Sequence, residues 1–149
     1  MKSPFKSMLL LVEASDADMR AAELALDMAA NLETEVVGVA VVEVDTLNQL
    51  LRSRILVEDE MDQLRTEMES EGQRHMDYVA SQAKSRKVAF EPVLTKGSLS
   101  SAVLDEQQKR GSDVVIMGGF TYTMLKRDIN LRQKQLIMDQ CPCPVLLVK

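Results

Sequence analysis

Aromatic side chains are scarce, at 3% of the chain with no tryptophan, and the ten methionines are left to fill irregular gaps in the core. Basic charge is scarce too. With 18 Lys and Arg against 23 Asp and Glu, the formal net charge of −5 supplies no positive face for DNA or RNA, so no nucleic-acid partner is expected. No apolar run approaches the roughly 18 residues that cross a bilayer. Residues 1–6 lead straight into an apolar strand rather than into a signal h-region and cleavage site, so the chain is expected to be cytoplasmic, with no membrane partner. Cysteine occurs only as Cys141 and Cys143, too close together for an ordinary structural bridge, and nothing points to a disulfide framework. Glycine, which a phosphate loop needs at several points so that backbone can approach the anion, is absent after Gly119.

What is present is one ordinary domain. A chain of 149 residues, 46% of them hydrophobic, can bury a single core without disulfides or metal, and no repeat, low-complexity tract or linker divides residues 1–149. Met8 to Val12 is a wholly apolar run, suited to a strand covered on both faces. Ser15-Asp16-Ala17-Asp18 then supplies caps and negative charge for a helix over about Asp16–Asn31. Val36 to Val42 is a second buried strand. Val44 to Leu56 reads as a helical or partly ordered flap with exposed leucines (Leu47, Leu50, Leu51, with Ile55). Apolar residues recur every three or four positions from about Glu58 to Lys84, predicting a long amphipathic helix. Val88–Leu94 reads as a third strand, and Pro92, which cannot donate to a ladder, favours a sheet edge. A helix capped by Ser98 or Ser100 and ended by Gly111 follows. A fourth strand over Val114–Met117, a last helix over about Leu131–Gln140 and a fifth strand over Val145–Val148 complete an alternating series. Strands alternating with helices predict an α/β, doubly wound domain.

The last third of the chain carries the candidate site. The apolar run ending in Met117 empties into Gly118 and Gly119, and open α/β sheets bind ligands at the carboxyl ends of their strands. Asp113 to Gly118, the Lys126-Arg127 pair and Cys143 to Val148 resemble, without a gap, the carboxyl-terminal signature of the universal stress protein family. The first half is similar as well: an apolar strand ending in Glu13, then Ser15, then a helix with Arg20-Ala21 and Ala25-Leu26. The resemblance implies a flavodoxin-like, Rossmann-like five-stranded parallel sheet of order 3-2-1-4-5, and homodimers joined through the fifth strand, Val145, Leu146, Leu147 and Val148.

Nucleotide-binding members of that family carry glycine, two residues, glycine, nine residues, then glycine followed by Ser or Thr. On this chain those places fall on Gly118, Thr121, Leu131 and Arg132, so three of the four are lost. Leu131 cannot readily take a glycine's positive-φ conformation. The family's strand-end aspartate falls on Glu13, its following glycine on Ala14, and a strand residue that contacts adenine through backbone on Val41. The resemblance thus implies a residual nucleotide or anion site of Val12, Glu13, Ser15, Val41, Met117, Gly118, Gly119, Thr121 and Arg132.

Two readings of the Thr121–Lys134 loop stand side by side. In one, Lys126, Arg127, Arg132 and Lys134 are solvated surface charges. In the other, Arg132 opens the last helix, replaces the lost backbone contacts with its guanidinium and meets Glu13, making an altered anion site for AMP or another phosphorylated ligand. His75 sits on the apolar stripe of the long helix and reads as packing. Cys141 and Cys143 could form a metal or redox pair, but two thiols without a histidine cluster fall short of a four-ligand metal site. Asp16, Asp18, Asp105 and Glu106 are helix-start or helix-face carboxylates that no visible pattern places for acid–base work. The chain is therefore expected to be a non-catalytic stress-response domain, homodimeric, with impaired ATP binding and no resident cofactor or metal. Its alternative is a sensor of AMP-like nucleotide or another phosphorylated small molecule; an unidentified protein partner fits either.

Overall fold

The computed structural model describes residues 4–54, 57–119 and 124–149, without the side chains of residues 46 and 124–130. Strands β1 (Ser7–Leu11), β2 (Glu35–Val42), β3 (Phe90–Lys96), β4 (Val114–Gly118) and β5 (Val145–Val148) form one parallel sheet, ordered β3-β2-β1-β4-β5. Helices α1 (Asp16–Leu32), α2 (Val44–Arg52), α3 (Glu58–Ser85), α4 (Leu99–Arg110) and α5 (Met124–Gln140) flank it. Because side chains alternate along a strand, Met8 and Leu10 of β1 pack with α1 and α3 on one face. Leu9 and Leu11 pack with α4 and α5 on the other. Both faces of the central strands are covered, which is why β1 and β4 carry no polar alternation. The strand order and the α/β architecture agree with the sequence reading, and Pro92 lies on the edge strand β3.

Three elements differ from expectation. Residues 44–52 are a regular helix that lies against α3, and Leu47, expected on an exposed flap, is only 2% exposed. Ile55 lies outside the described residues. The third strand starts two residues later than expected, because Val88 donates its N–H to the Ala83 carbonyl at 2.9 Å and is spent on ending α3. Gly38, opposite Pro92 in the ladder, makes room for the Phe90 ring: a Cβ there would stand 2.7 Å from a ring carbon. The largest difference is in α5, which begins at Met124 rather than near Leu131. Leu131 and Arg132 are therefore interior helical residues, and the helix N-terminus that Arg132 was expected to occupy lies eight residues earlier.

Candidate functional site

The carboxyl edge of the sheet is built from the ends of β1 and β4 and from the start of α1. After β1, the Val12 N–H donates to the Val39 carbonyl at 2.8 Å, holding the chain against β2 as it reaches Glu13. Ser15 then caps α1. Its hydroxyl accepts from the Asp18 N–H at 3.1 Å, while Asp18 Oδ2 accepts from the Ser15 N–H at 2.9 Å and from the Ser15 hydroxyl at 2.6 Å. This is a capping box closed by aspartate, and it fixes Asp18 at 3% exposure. The first turn of α1 presses on the end of β4: a Cβ at Gly118 would lie 2.6 Å from the Asp18 nitrogen and 2.8 Å from the Ala17 carbonyl carbon. Gly118 is required here by close approach.

Into this corner α5 sends Lys134. Its side chain is 0% exposed, and Nζ donates to the carbonyls of Gly118 at 2.8 Å and Gly119 at 3.1 Å. The same ammonium lies 3.5 Å from Glu13 Oε1 and 3.7 Å from Asp18 Oδ1. Neither of those carboxylate oxygens has a hydrogen-bond partner, so the cation is what offsets their burial. Burial nevertheless raises the Glu13 carboxyl from 4.5 to about 7; the Lys134 ammonium opposes the rise, and the charges of Asp18 and Glu43 add to it. Two carboxyl groups thus flank one ammonium, and the charge of Glu43 acts on one of them. Burying such charges is tolerable only when they are paired, and the pairing here is internal to the chain.

The fold and this corner can be set beside known proteins. The sequence pattern of the universal stress protein family matches residues 4–149. The chain belongs to that family. Universal stress protein MJ0531 of Methanocaldococcus jannaschii is 23% identical over 145 residues, covering 97% of this chain and 82% of that protein. Hypothetical protein MJ0577, known from a solved structure, superposes with a TM-score of 0.76 at 16% identity over 99% of this chain and 97% of its own. A universal stress protein family protein from Arabidopsis thaliana, solved with AMP bound, superposes with a TM-score of 0.64 at 14% identity, over 97% of this chain and 91% of that one. At such identities the structural likeness speaks for the fold.

The residues that the resemblance implied for a nucleotide or anion site fall as follows. Val12, Glu13, Ser15, Met117, Gly118 and Gly119 come together at the ends of β1 and β4. Gly119 donates its N–H to the Val148 carbonyl at 2.7 Å. Val41 lies on β2, beside Thr95 of β3. Thr121 lies outside the described residues, as do the side chains of Lys126 and Arg127. Arg132 is exposed on α5, and the cation that meets Glu13 is Lys134, two residues on. The reading of Lys134 as a surface charge is overturned by its complete burial. Two other participants were missed. Asp18 is turned inward by the capping box, a signal visible in the Ser15-x-x-Asp18 spacing. Lys134 stands three residues before the buried Ile137, on the apolar stripe of α5, where a lysine must find partners. Among the described residues no group of three or more His, Cys, Asp or Glu is placed to hold a metal ion, and no helix is long and apolar enough to cross a membrane. His75 is half-buried on α3.

Proposed function

We propose that this universal stress protein is a non-catalytic, homodimeric module in which Lys134 fills the strand-end corner from within and ATP binding is impaired. The observation that carries this reading is the buried ammonium of Lys134, bound to the Gly118 and Gly119 carbonyls, beside a Gly119 N–H already donated to the Val148 carbonyl rather than free for a phosphate. A triphosphate entering there meets the carboxyls of Glu13 and Asp18 against a single cation already engaged. Like charges at such distances in a poorly solvated corner disfavour the anion. Nothing in the arrangement activates a nucleophile or pairs an acid with a base around a reacting atom, so no reaction is assigned to it. Isothermal titration with ATP checks the reading: the expected outcome is no binding at micromolar concentration, and a dissociation constant of micromolar or tighter, about −8 kcal/mol, overturns it.

A second reading is a sensor of AMP-like nucleotide, supported by the Arabidopsis relative solved with AMP and by the smaller charge that AMP would bring to the corner. Titration with AMP separates the two readings, since a heat of binding for AMP without one for ATP favours the sensor. The dimer is inferred from β5. Leu146 and Val148 face the α1 side, Val145 and Leu147 face the α5 side, and all four are only half-buried. The strand is at the sheet edge and carries no proline or charge to discourage pairing, so a second β5 would cover it. Light scattering should find a dimer that Leu146→Lys weakens by burying an unpaired charge and Val145→Pro weakens by removing a backbone donor. A wild-type monomer at high micromolar concentration would remove the basis for that part.

A further inference from the structure

The turn between α5 and β5 brings the only two cysteines of the chain into contact. Cys141 Sγ and Cys143 Sγ are 3.3 Å apart, one thiol hydrogen-bonded to the other, and both cysteines are free and half-buried. The contact is held from both sides. The Cys141 N–H donates to the Ile137 carbonyl at 2.9 Å and so belongs to the last turn of α5. The Pro144 carbonyl, next to Cys143, accepts from the Val115 N–H at 3.0 Å and opens the β4–β5 ladder. Both cysteines pack against the cluster containing Ile137, Val115 and Met117. The intervening Pro142 is exposed and restricts the backbone between them. Two thiols fixed this way, belonging to no group of three or more His, Cys, Asp or Glu placed to hold a metal ion among the described residues, lack the ligands of a structural metal centre but have the arrangement a thiol–disulfide exchange needs.

The geometry points to a reversible dithiol site: Cys141 and Cys143 exchange with a low-molecular-weight disulfide and close as an intramolecular bond across Pro142. In the first step Cys141 gives up its proton to solvent and its sulfur attacks one sulfur of the small disulfide; a mixed disulfide forms at Cys141, and one small thiolate leaves and takes up a proton. In the second, Cys143 gives up its proton to solvent and attacks the Cys141 sulfur, the Cys141–Cys143 bond forms, and the second small thiolate leaves. The protein dithiol has lost two electrons and two protons, and the small disulfide has become two thiols. The order of attack follows from the environment. Burial first, and then the contact with Cys141, push the Cys143 thiol up to about 12, so Cys143 keeps its proton in the resting pair. A sulfur that keeps its proton is a poor nucleophile, which leaves the first attack to Cys141. A ring closed across one residue is strained and removes little chain entropy, so the bond is of the reducible kind rather than a structural staple.

The test uses the full chain, reduced, then freed of reductant and incubated natively with oxidised glutathione. Intact mass should fall by two hydrogens, and a non-reducing peptide map should place the bond between Cys141 and Cys143, reversibly on adding reduced glutathione. Cys143→Ser should stop at a stable glutathione adduct on Cys141, whereas Cys141→Ser should slow adduct formation about tenfold or more. Circular dichroism on each variant checks that it is folded, and Cys143→Ala serves in place of Cys143→Ser if the serine variant is not. Stable adducts on both cysteines of the wild type, bonds only between chains, no reaction at a large excess of oxidised glutathione, or faster reaction at Cys143 than at Cys141 would each overturn the proposal.

Discussion

Neighbouring residues of α5 close two places at the same sheet edge with different chemistry. On the α4 side, Gln133 Oε1 accepts from the Ser100 N–H at 2.9 Å and from the Ser100 hydroxyl at 2.7 Å, satisfying one of the unpaired donors that every helix start leaves. On the α1 side, Lys134 reaches past the end of β4 to two carbonyls and two carboxylates. The amide meets its partners without net charge and costs only its own desolvation. The ammonium is placed near the positive end of α1, against the preference of a helix dipole, and is held there by oxygen atoms that themselves resist burial. One side of the edge is therefore sealed neutrally and is insensitive to pH. The other is sealed by ions and carries a group that titrates near neutrality.

Removing each seal should break the comparison open most visibly. Lys134→Met, close in volume but uncharged, leaves the buried Asp18 carboxylate and the Gly118 and Gly119 carbonyls without their cation, and loss of one partner from a buried ionic cluster costs about 3–5 kcal/mol. Urea unfolding should show that loss as a lower midpoint with unchanged slope. A cost below about 1 kcal/mol, the range of an exposed pair, would mean that water reaches the corner and that Lys134 is not a seal.

The pH dependence sharpens the contrast next. Glu13 holds its proton up to about pH 7 in the folded chain against the ordinary 4.5, so between those values the folded state carries more protons than the unfolded one. Stability from this group is thus fullest below about pH 4.5 and falls as pH rises through about 7, by an amount on the order of 3 kcal/mol. Glu13→Gln imitates the protonated form and cannot titrate. Its stability minus that of the wild type should grow more favourable between pH 5 and pH 8, with the other carboxylates common to both chains. A difference that is flat in pH would show that the Lys134 ammonium fully offsets burial at Glu13, and one that moves the other way that it outweighs it.

The same contrast explains what could be read in the sequence. The central strands were legible because Met8 to Leu11 and Val114 to Met117 are apolar on both faces, and Pro92 marked its own edge. The last helix was misjudged at its start because residues 124–130 show no clear apolar period and the glycine pattern invited a loop. Lys134 was read as solvent-facing because charge runs usually are; only the position of Ile137 one turn later, which sets the buried stripe, argues otherwise. Glu13 and Arg132 were paired on the correct topological ground, that the ends of the first and fourth strands flank one crevice. The helical phase of α5 decides between neighbouring cations, and phase could not be fixed without knowing where the helix begins. Gln133 gave no signal at all, since its partner Ser100 is set by the docking of α4 on α5.

The smallest effect concerns that neutral seal. Gln133→Leu keeps the side chain's bulk but withdraws the acceptor from the Ser100 N–H and hydroxyl, and Ser100 is 7% exposed, so two donors lose a partner where water has little access. The cost should be about 1–2 kcal/mol, the desolvation penalty of a lost hydrogen bond rather than that of a charge. Gln133→Glu restores the acceptor and adds negative charge at the start of α4, where the dipole favours it by about 0.3–1 kcal/mol, so this variant should be at least as stable as the wild type at pH 8. In acid the glutamate takes up its proton and the advantage should fade, which urea unfolding at pH 4 and pH 8 can measure. If Gln133→Leu instead costs as much as Lys134→Met, the two seals are energetically alike, and the difference between an amide and an ammonium at this edge is one of pH response alone.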